Sequence, residues 1–168
     1  LRTATAACVL HMPPECVTLL RERKAEKGDA LEIGRMAGML AAKKTWELLP
    51  LCHQLPLTGI EISYELGEAQ VDITASVETI AGTGVEMEAL TAASITGLTI
   101  YDLLKPHAEQ DQLRMTDVRL LEKAGGKSQY ARALSPAGRA VILATSDAVV
   151  SGEKKATAAR AVQEGLER

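Results

Sequence analysis

Along residues 60–78 apolar and polar side chains alternate with a period of two. Ile60, Ile62, Tyr64 and Leu66 interleave with Glu61, Ser63 and Glu65. After a turn at Gly67-Glu68, Val71, Ile73, Ala75 and Val77 interleave with Asp72, Thr74, Ser76 and Glu78. Successive side chains of a strand point to opposite faces, so this pattern predicts a hairpin in a sheet with one wet and one buried face. A weaker alternation over residues 2–12 (Ala4, Ala6, Cys8 and Leu10 against Thr3, Thr5 and Val9) predicts a first strand. A last strand is expected over Val118–Lys123, ahead of a Gly125-Gly126-Lys127 turn.

Helical spacing fills the gaps. Pro13 and Pro14 suit the opening of a short helix carrying Val17, Leu19 and Leu20, which is expected to run through a basic stretch to Lys27-Gly28. Asp29 with Glu32 three residues later has the form of a capping box. The helix it starts places Ile33, Met36, Ala37, Leu40 and Lys44 at helical intervals and should stop before Pro50. A long Ala/Leu/Ile-rich helix over about 86–105 ends at Pro106 and can cover the buried face of the sheet. The order strand, two helices, strand, strand, helix, strand predicts an α+β fold: a ferredoxin-like split βαβ antiparallel sheet, helices on one face, with one extra helix. Beyond Ser135-Pro136-Ala137-Gly138 the pattern changes. Residues 139–145 read as a continuously apolar strand and 153–167 as an Ala-rich helix. One strand and one helix cannot enclose a core, so the chain divides into a domain over 1–134 and a linker with the truncated start of a second, a partial βα unit, over 135–168.

Composition narrows the function. The 168 residues carry a net charge of −3, one Trp, three Tyr and no Phe. Neither a basic surface nor aromatic stacking platforms are available for nucleic acid. No segment approaches the eighteen apolar residues of a membrane span. A core of Ala, Leu, Val, Ile and Met buries little area per residue, which favours cover from further copies of the chain. Three cysteines without CxxC spacing point to a reducing cytoplasm. The chain opens at Leu1 rather than Met and is expected to begin inside a longer product.

Several residues could carry chemistry, each with a plainer alternative. Cys52 and His53 sit on a loop between Pro50 and Pro56. His53 either meets an anion or moves a proton, or it caps backbone carbonyls. A zinc hydrolase built on Cys52 and His53 lacks any second ligand pair at metal spacing. Lys27, before the amides of the next helix, either reaches a phosphate or belongs to a solvated basic run. Glu86 and Glu88 either answer the dipole of the long helix or grip the edge of a guanine-like ring. Asp102 and Lys105 share a helix face; an acid in the last turn opposes the dipole, which favours a functional role over a plain ion pair. Lys123 and Lys127 flank a glycine turn able to present amides to phosphate. Glu88 and Asp102 lie roughly 21 Å apart at about 1.5 Å per residue. Either the two ends of the helix do unrelated work, or they line a long substrate, or neighbouring subunits bring opposite ends together.

Taken in order, Lys27-Gly28-Asp29, Ala41-Ala42-Lys43-Lys44-Thr45-Trp46, Leu49-Pro50-Leu51-Cys52-His53, Thr83-Gly84-Val85-Glu86-Met87-Glu88-Ala89-Leu90, Leu98-Thr99-Ile100-Tyr101-Asp102 and Val118-Arg119-Leu120-Leu121 with Gly125-Gly126-Lys127-Ser128 form a set. They resemble the cyclic pyranopterin monophosphate synthase family (MoaC) of molybdenum-cofactor biosynthesis, over roughly residues 1–128. The resemblance implies a ferredoxin-like subunit in a hexamer, a trimer of dimers with active sites at subunit interfaces. It implies a lyase acting on a cyclised guanosine triphosphate; the residues themselves give no metal ligand set, and no cofactor is expected. Carried over by position, it implies catalytic roles for Asp102, Lys27 and Lys105. Substrate binding falls to Leu51, Cys52, His53, Met87 and Glu88, with Glu86 beside them, and to Lys123 and Arg2. The family pattern also has a short segment ahead of Arg2. The tail resembles the start of a molybdopterin-binding, MoaB-like domain in Ser146-Asp147, with Ala156 where that family has an acid. A non-catalytic ferredoxin-like ligand-binding module is the rival from another class.

Overall fold

The computed structural model describes residues 1–126. Lys127, the expected strand and helix at 139–145 and 153–167, Ser146, Asp147, Ala156 and the 135–168 division all lie outside the described residues. The elements run β1 (Arg2–His11), α1 (Pro14–Glu22), α2 (Ala30–Lys43), α3 (Thr45–Leu48), β2 (Leu57–Leu66), β3 (Gln70–Thr79), α4 (Glu86–Leu104), a 3₁₀ turn (Lys105–His107) and β4 (Arg114–Ala124). The sheet is antiparallel in the order β2-β3-β1-β4, consistent with the ferredoxin-like class that the order of elements along the chain predicts. Register sets Ala4 opposite Val77 and Cys8 opposite Ile73, so the apolar sets of β1 and β3 share a face.

Helix α4 lies on that face, and α2 lies against α4. A helix enclosed from both directions needs apolar residues all round, which is why α4 shows no clean amphipathic stripe. The contacts depend on missing side chains. A Cβ at Gly97 would come within 3.1 Å of Met115 Cε and 3.2 Å of Cys8 Sγ, between helix and sheet. A Cβ at Gly34 would stand 2.9 Å from Ile100 Cγ1. At Gly38 it would collide with Thr96 Oγ1 and come within 2.9 Å of the Ala92 carbonyl. Arg35, on the same helix, donates to the Ile62 carbonyl and lies 5.1 Å from the centre of the Tyr64 ring, tying α2 to β2.

Three boundaries and the burial of one strand depart from the sequence expectation. α1 stops at Glu22 because Arg23 adopts a left-handed φ of 56° while the Lys24 amide donates back to Leu19 O at 3.1 Å; no glycine marks this stop. α2 breaks at Lys44 (φ −111°) instead of continuing towards Pro50. β4 begins at Arg114, four residues before Val118, and Asp117 at φ 51° with register shifts against β1 erases the alternation there. In β1, Ala7 and Val9 are buried with the core-facing residues, because neighbouring strands shade a central strand on both faces. The capping box is half realised. Asp29 Oδ1 accepts from the Leu31 and Glu32 amides at 3.1 and 3.3 Å, while Glu32 turns to Arg35 at 3.4 Å.

The α2–α4 crossing yields a stability prediction. Alanine at a helical glycine gains about 1 kcal/mol of propensity, but overpacking against a backbone carbonyl costs about 1–3 kcal/mol. Gly38→Ala should therefore lower the urea midpoint, and Gly38→Val should lower it further. Among the described residues Thr96 Oγ1 has no hydrogen-bond partner. Thr96→Ala should thus relieve part of the Gly38→Ala loss; a raised midpoint in Gly38→Ala, the propensity gain alone, would show that the helices do not touch there.

Candidate active site

The N-terminal end of α4 emerges from a loop that starts where β3 leaves the sheet. Thr79 anchors the loop's origin by donating its hydroxyl to Pro56 O at 2.7 Å, which also holds the segment following His53. That segment and the start of α4 enclose a pocket of about 370 Å³ lined by Leu51, Cys52, His53, Leu55, Thr83, Gly84, Glu86, Met87 and Glu88. Leu51 is 93% exposed beside it. The loop and the two glutamates, assigned separately on sequence, therefore share one cavity. Leu55, Thr83 and Gly84 complete the lining without having been singled out as site residues. For Thr83 and Gly84 the signal was present in the motif that carries the family resemblance; Leu55 had none beyond its place between prolines. A Cβ at Gly84 would collide with the Glu86 carboxylate, so this glycine lets Glu86 fold back over the chain.

Charge divides the two glutamates. Lys123, reaching in from β4, holds Glu86 Oε1 at 2.8 Å. That hydrogen bond is the main cause lowering the Glu86 pKa, with the charges of Lys123 and Arg2 adding to it. Glu88, one turn face away and 5% exposed, has its pKa raised by burial, with the Glu86 charge adding. Two acids on one helical turn are thus driven in opposite directions, as in sites that separate proton-holding from charge-holding roles. Arg2 Nη2 donates to Gly82 O at 3.0 Å, which brings a second cation to the same rim. The glycine turn does not open towards this rim as a bare phosphate cradle: Arg2 occupies the space beside Gly125 and Gly126.

The other named residues lie at the far end of α4. Lys105 Nζ donates to Asp102 Oδ1 at 2.6 Å, with both side chains more than half exposed. This bond is the main cause lowering the Asp102 pKa, and the Lys27 charge contributes. Lys27 belongs to this cluster because α2 runs antiparallel to α4, bringing the Gly28–Asp29 turn to the C-terminal end of α4. The first α2 amides are partly taken by Asp29 itself, which leaves fewer of them for an anion beside Lys27. One copy thus gathers Leu51, Cys52, His53, Glu86, Met87, Glu88, Lys123 and Arg2 at one end of α4, and Lys27, Asp102 and Lys105 at the other. About 21 Å of helix separates Glu88 from Asp102. Among the described residues no group of three or more His, Cys, Asp or Glu side chains could hold a metal ion, so Cys52 and His53 gain no further ligand there. No helix among them is long and apolar enough to cross a membrane.

A model of the MoaC family matches residues 1–126. The chain belongs to the MoaC family. A Brevibacillus brevis protein named cyclic pyranopterin monophosphate synthase is 47% identical over 128 residues, covering 76% of this chain and 79% of that relative. A Thermomicrobium roseum protein of the same name is 47% identical over 129 residues, 76% of each. A molybdenum cofactor biosynthesis bifunctional protein from Chlorobaculum tepidum is 41% identical over 167 residues, 99% of this chain and 52% of that relative. The MoaC match covers all the described elements, and both charged ends of α4 lie within it.

The opposed glutamates predict a pH signature. A carboxyl whose folded pKa is raised destabilises the fold once ionised, so the Glu88 contribution is lost as pH rises from the unfolded value through the folded one. Glu86, lowered in the fold, contributes above its unfolded pKa and loses that contribution as pH falls. Glu88→Gln should therefore melt higher than the parent at pH 7, by on the order of 1 kcal/mol, with the gap closing towards pH 4. A constant gap across that range in thermal melts would remove the burial argument.

Proposed function

We propose that this chain is a cyclic pyranopterin monophosphate synthase. As such it is a lyase that converts 3′,8-cyclo-7,8-dihydroguanosine 5′-triphosphate to cyclic pyranopterin monophosphate and diphosphate in molybdenum-cofactor biosynthesis. The observation that carries this reading is the 47% identity, over 128 residues, to a relative bearing that name. The active unit is a homo-oligomer, a hexamer arranged as a trimer of dimers. In it the pocket end of α4 from one copy meets the Asp102 end from another. Support comes from the separation of the two charged ends on one helix. It comes also from apolar side chains left exposed on α2 and α4, among them Met36, Leu40 and Leu98 at 70, 55 and 53%. Three free cysteines, two of them buried, favour a reducing cytoplasm. Residues 135–168 form the linker and the start of a MoaB-like domain. That assignment draws support from the Chlorobaculum tepidum alignment, which continues through them.

In the assembled site the pocket holds the guanine-derived ring, with Glu86 and Glu88 against its amino edge and His53 and Met87 bounding it. Arg2, Lys123, Lys27 and Lys105 meet the triphosphate, concentrating positive charge on a protein whose net charge is −3. A sugar oxygen attacks the innermost phosphorus, the bond to the next phosphate breaks, and diphosphate leaves. Negative charge grows on the departing group, where fixed ammonium groups stabilise the transition state more than the ground state. Asp102 and Lys105 hold each other charged, so the pair meets the substrate as carboxylate and ammonium; Asp102 is the group for proton transfer and Lys105 a fixed positive charge beside it.

Lys27→Ala and Lys105→Ala should each lower diphosphate release by ~10²–10³ while sedimentation stays that of the parent. Near-parental release from both would take these lysines out of the reaction. Mixing the inactive Asp102→Ala and Glu88→Ala variants, then letting subunits exchange, should restore activity if each site draws on two copies. A binding module without catalysis would retain the nucleotide yet form no fluorescent oxidised pterin.

A further inference from the structure

The Gly125-Gly126 turn has a geometry that ending a strand does not require. Both residues adopt left-handed backbone angles, φ 90° and 98°. The pairing of Thr3 with Ala124 carries the turn directly beside Arg2. A Cβ at Gly126 would collide with the Arg2 guanidinium, standing 2.9 Å from its Cζ. A Cβ at Gly125 would collide with the Leu1 carbonyl and stand 3.0 Å from Arg2 Cδ. The side chain of Arg2 is therefore laid flat on glycine backbone, and its Nη2 donates at 3.0 Å to Gly82 O, the residue before Thr83 of the pocket lining. Two residues before the turn, Lys123 reaches Glu86 at 2.8 Å.

We propose that Gly125-Gly126 is a positioning element for the substrate site: it seats the Arg2 guanidinium against the Gly82 carbonyl at the pocket rim, ready to meet a phosphate oxygen. This rests on the synthase reading for the identity of the anion. A flexible arginine would lose its rotamer freedom on gripping phosphate; one already seated has lost it during folding, so binding is tighter for the same contacts. Glycine is needed twice over. The backbone angles favour it, and the guanidinium occupies the place of the missing side chain.

A mutant cycle separates those two needs. Gly126→Asn, tolerant of left-handed angles but carrying a Cβ, and Gly126→Ala should each raise KM about tenfold, with kcat within about threefold. In an Arg2→Ala background the same substitutions should change KM less than twofold, since nothing remains to be displaced. Equal losses in both backgrounds would reduce the turn to a structural role and overturn the proposal. The Arg2 Nε–H resonance of the substrate-free protein supplies a readout independent of turnover. It should shift in Gly126→Asn, and an unchanged resonance would overturn the proposal too. If the parent forms no product, the synthase reading fails, and the resonance still decides whether the turn seats Arg2.

Discussion

The close crossing of α2 and α4 at Gly34 and Gly38 constrains everything else in this fold. Because no side chain stands between the helices there, α2 can lie against α4 with Ile100 and Thr96 filling the crossing. α4 is thereby fixed on the sheet along its whole length, with Gly97 admitting Met115 and Cys8 from below. A rigid helix held in this way acts as a ruler. The charged groups discussed above stand at one or other of its ends, and the antiparallel run of α2 delivers Lys27 to one end and the Cys52–His53 loop to the other.

The electrostatics follow from that attachment. At the N-terminal end the dipole favours acids, and the protein places two there but treats them differently. Glu86 is drawn out towards Lys123 and Arg2 and holds its charge easily. Glu88 is turned inward, where burial opposes its charge. At the C-terminal end Asp102 opposes the dipole and is compensated locally by Lys105. Neither end collects all the named groups, and a helix has no means of shortening to bring them together. This is the physical reason for proposing a site shared between copies.

Cations at the pocket end are held by backbone as much as by acids. Arg2 lies on a glycine turn and against a carbonyl, and Lys123 is paired with a glutamate that Gly84 leaves room to bend. Glycine at 84, 125 and 126 thus works through what it does not fill. The α2 crossing uses the same device in the core.

The sequence by itself determined the alternating strands, the long helix closed by Pro106 and the sheet class, because periodicity reports which face of an element is buried and side chains of neighbouring strands must agree. It also disclosed the residues at both ends of α4, since a motif survives in one dimension. Only the tertiary structure decided that Leu51–His53 and Glu86–Glu88 share a cavity, that Lys123 pulls the Glu86 pKa down while burial pushes that of Glu88 up, and that Lys27 stands with Asp102. Those facts depend on which distant segments the antiparallel helices bring together. It alone also located the stop at Arg23, the break at Lys44 and the early start of β4. A left-handed arginine closed by local backbone bonds, and a bulge at Asp117, leave no periodic trace in the letters.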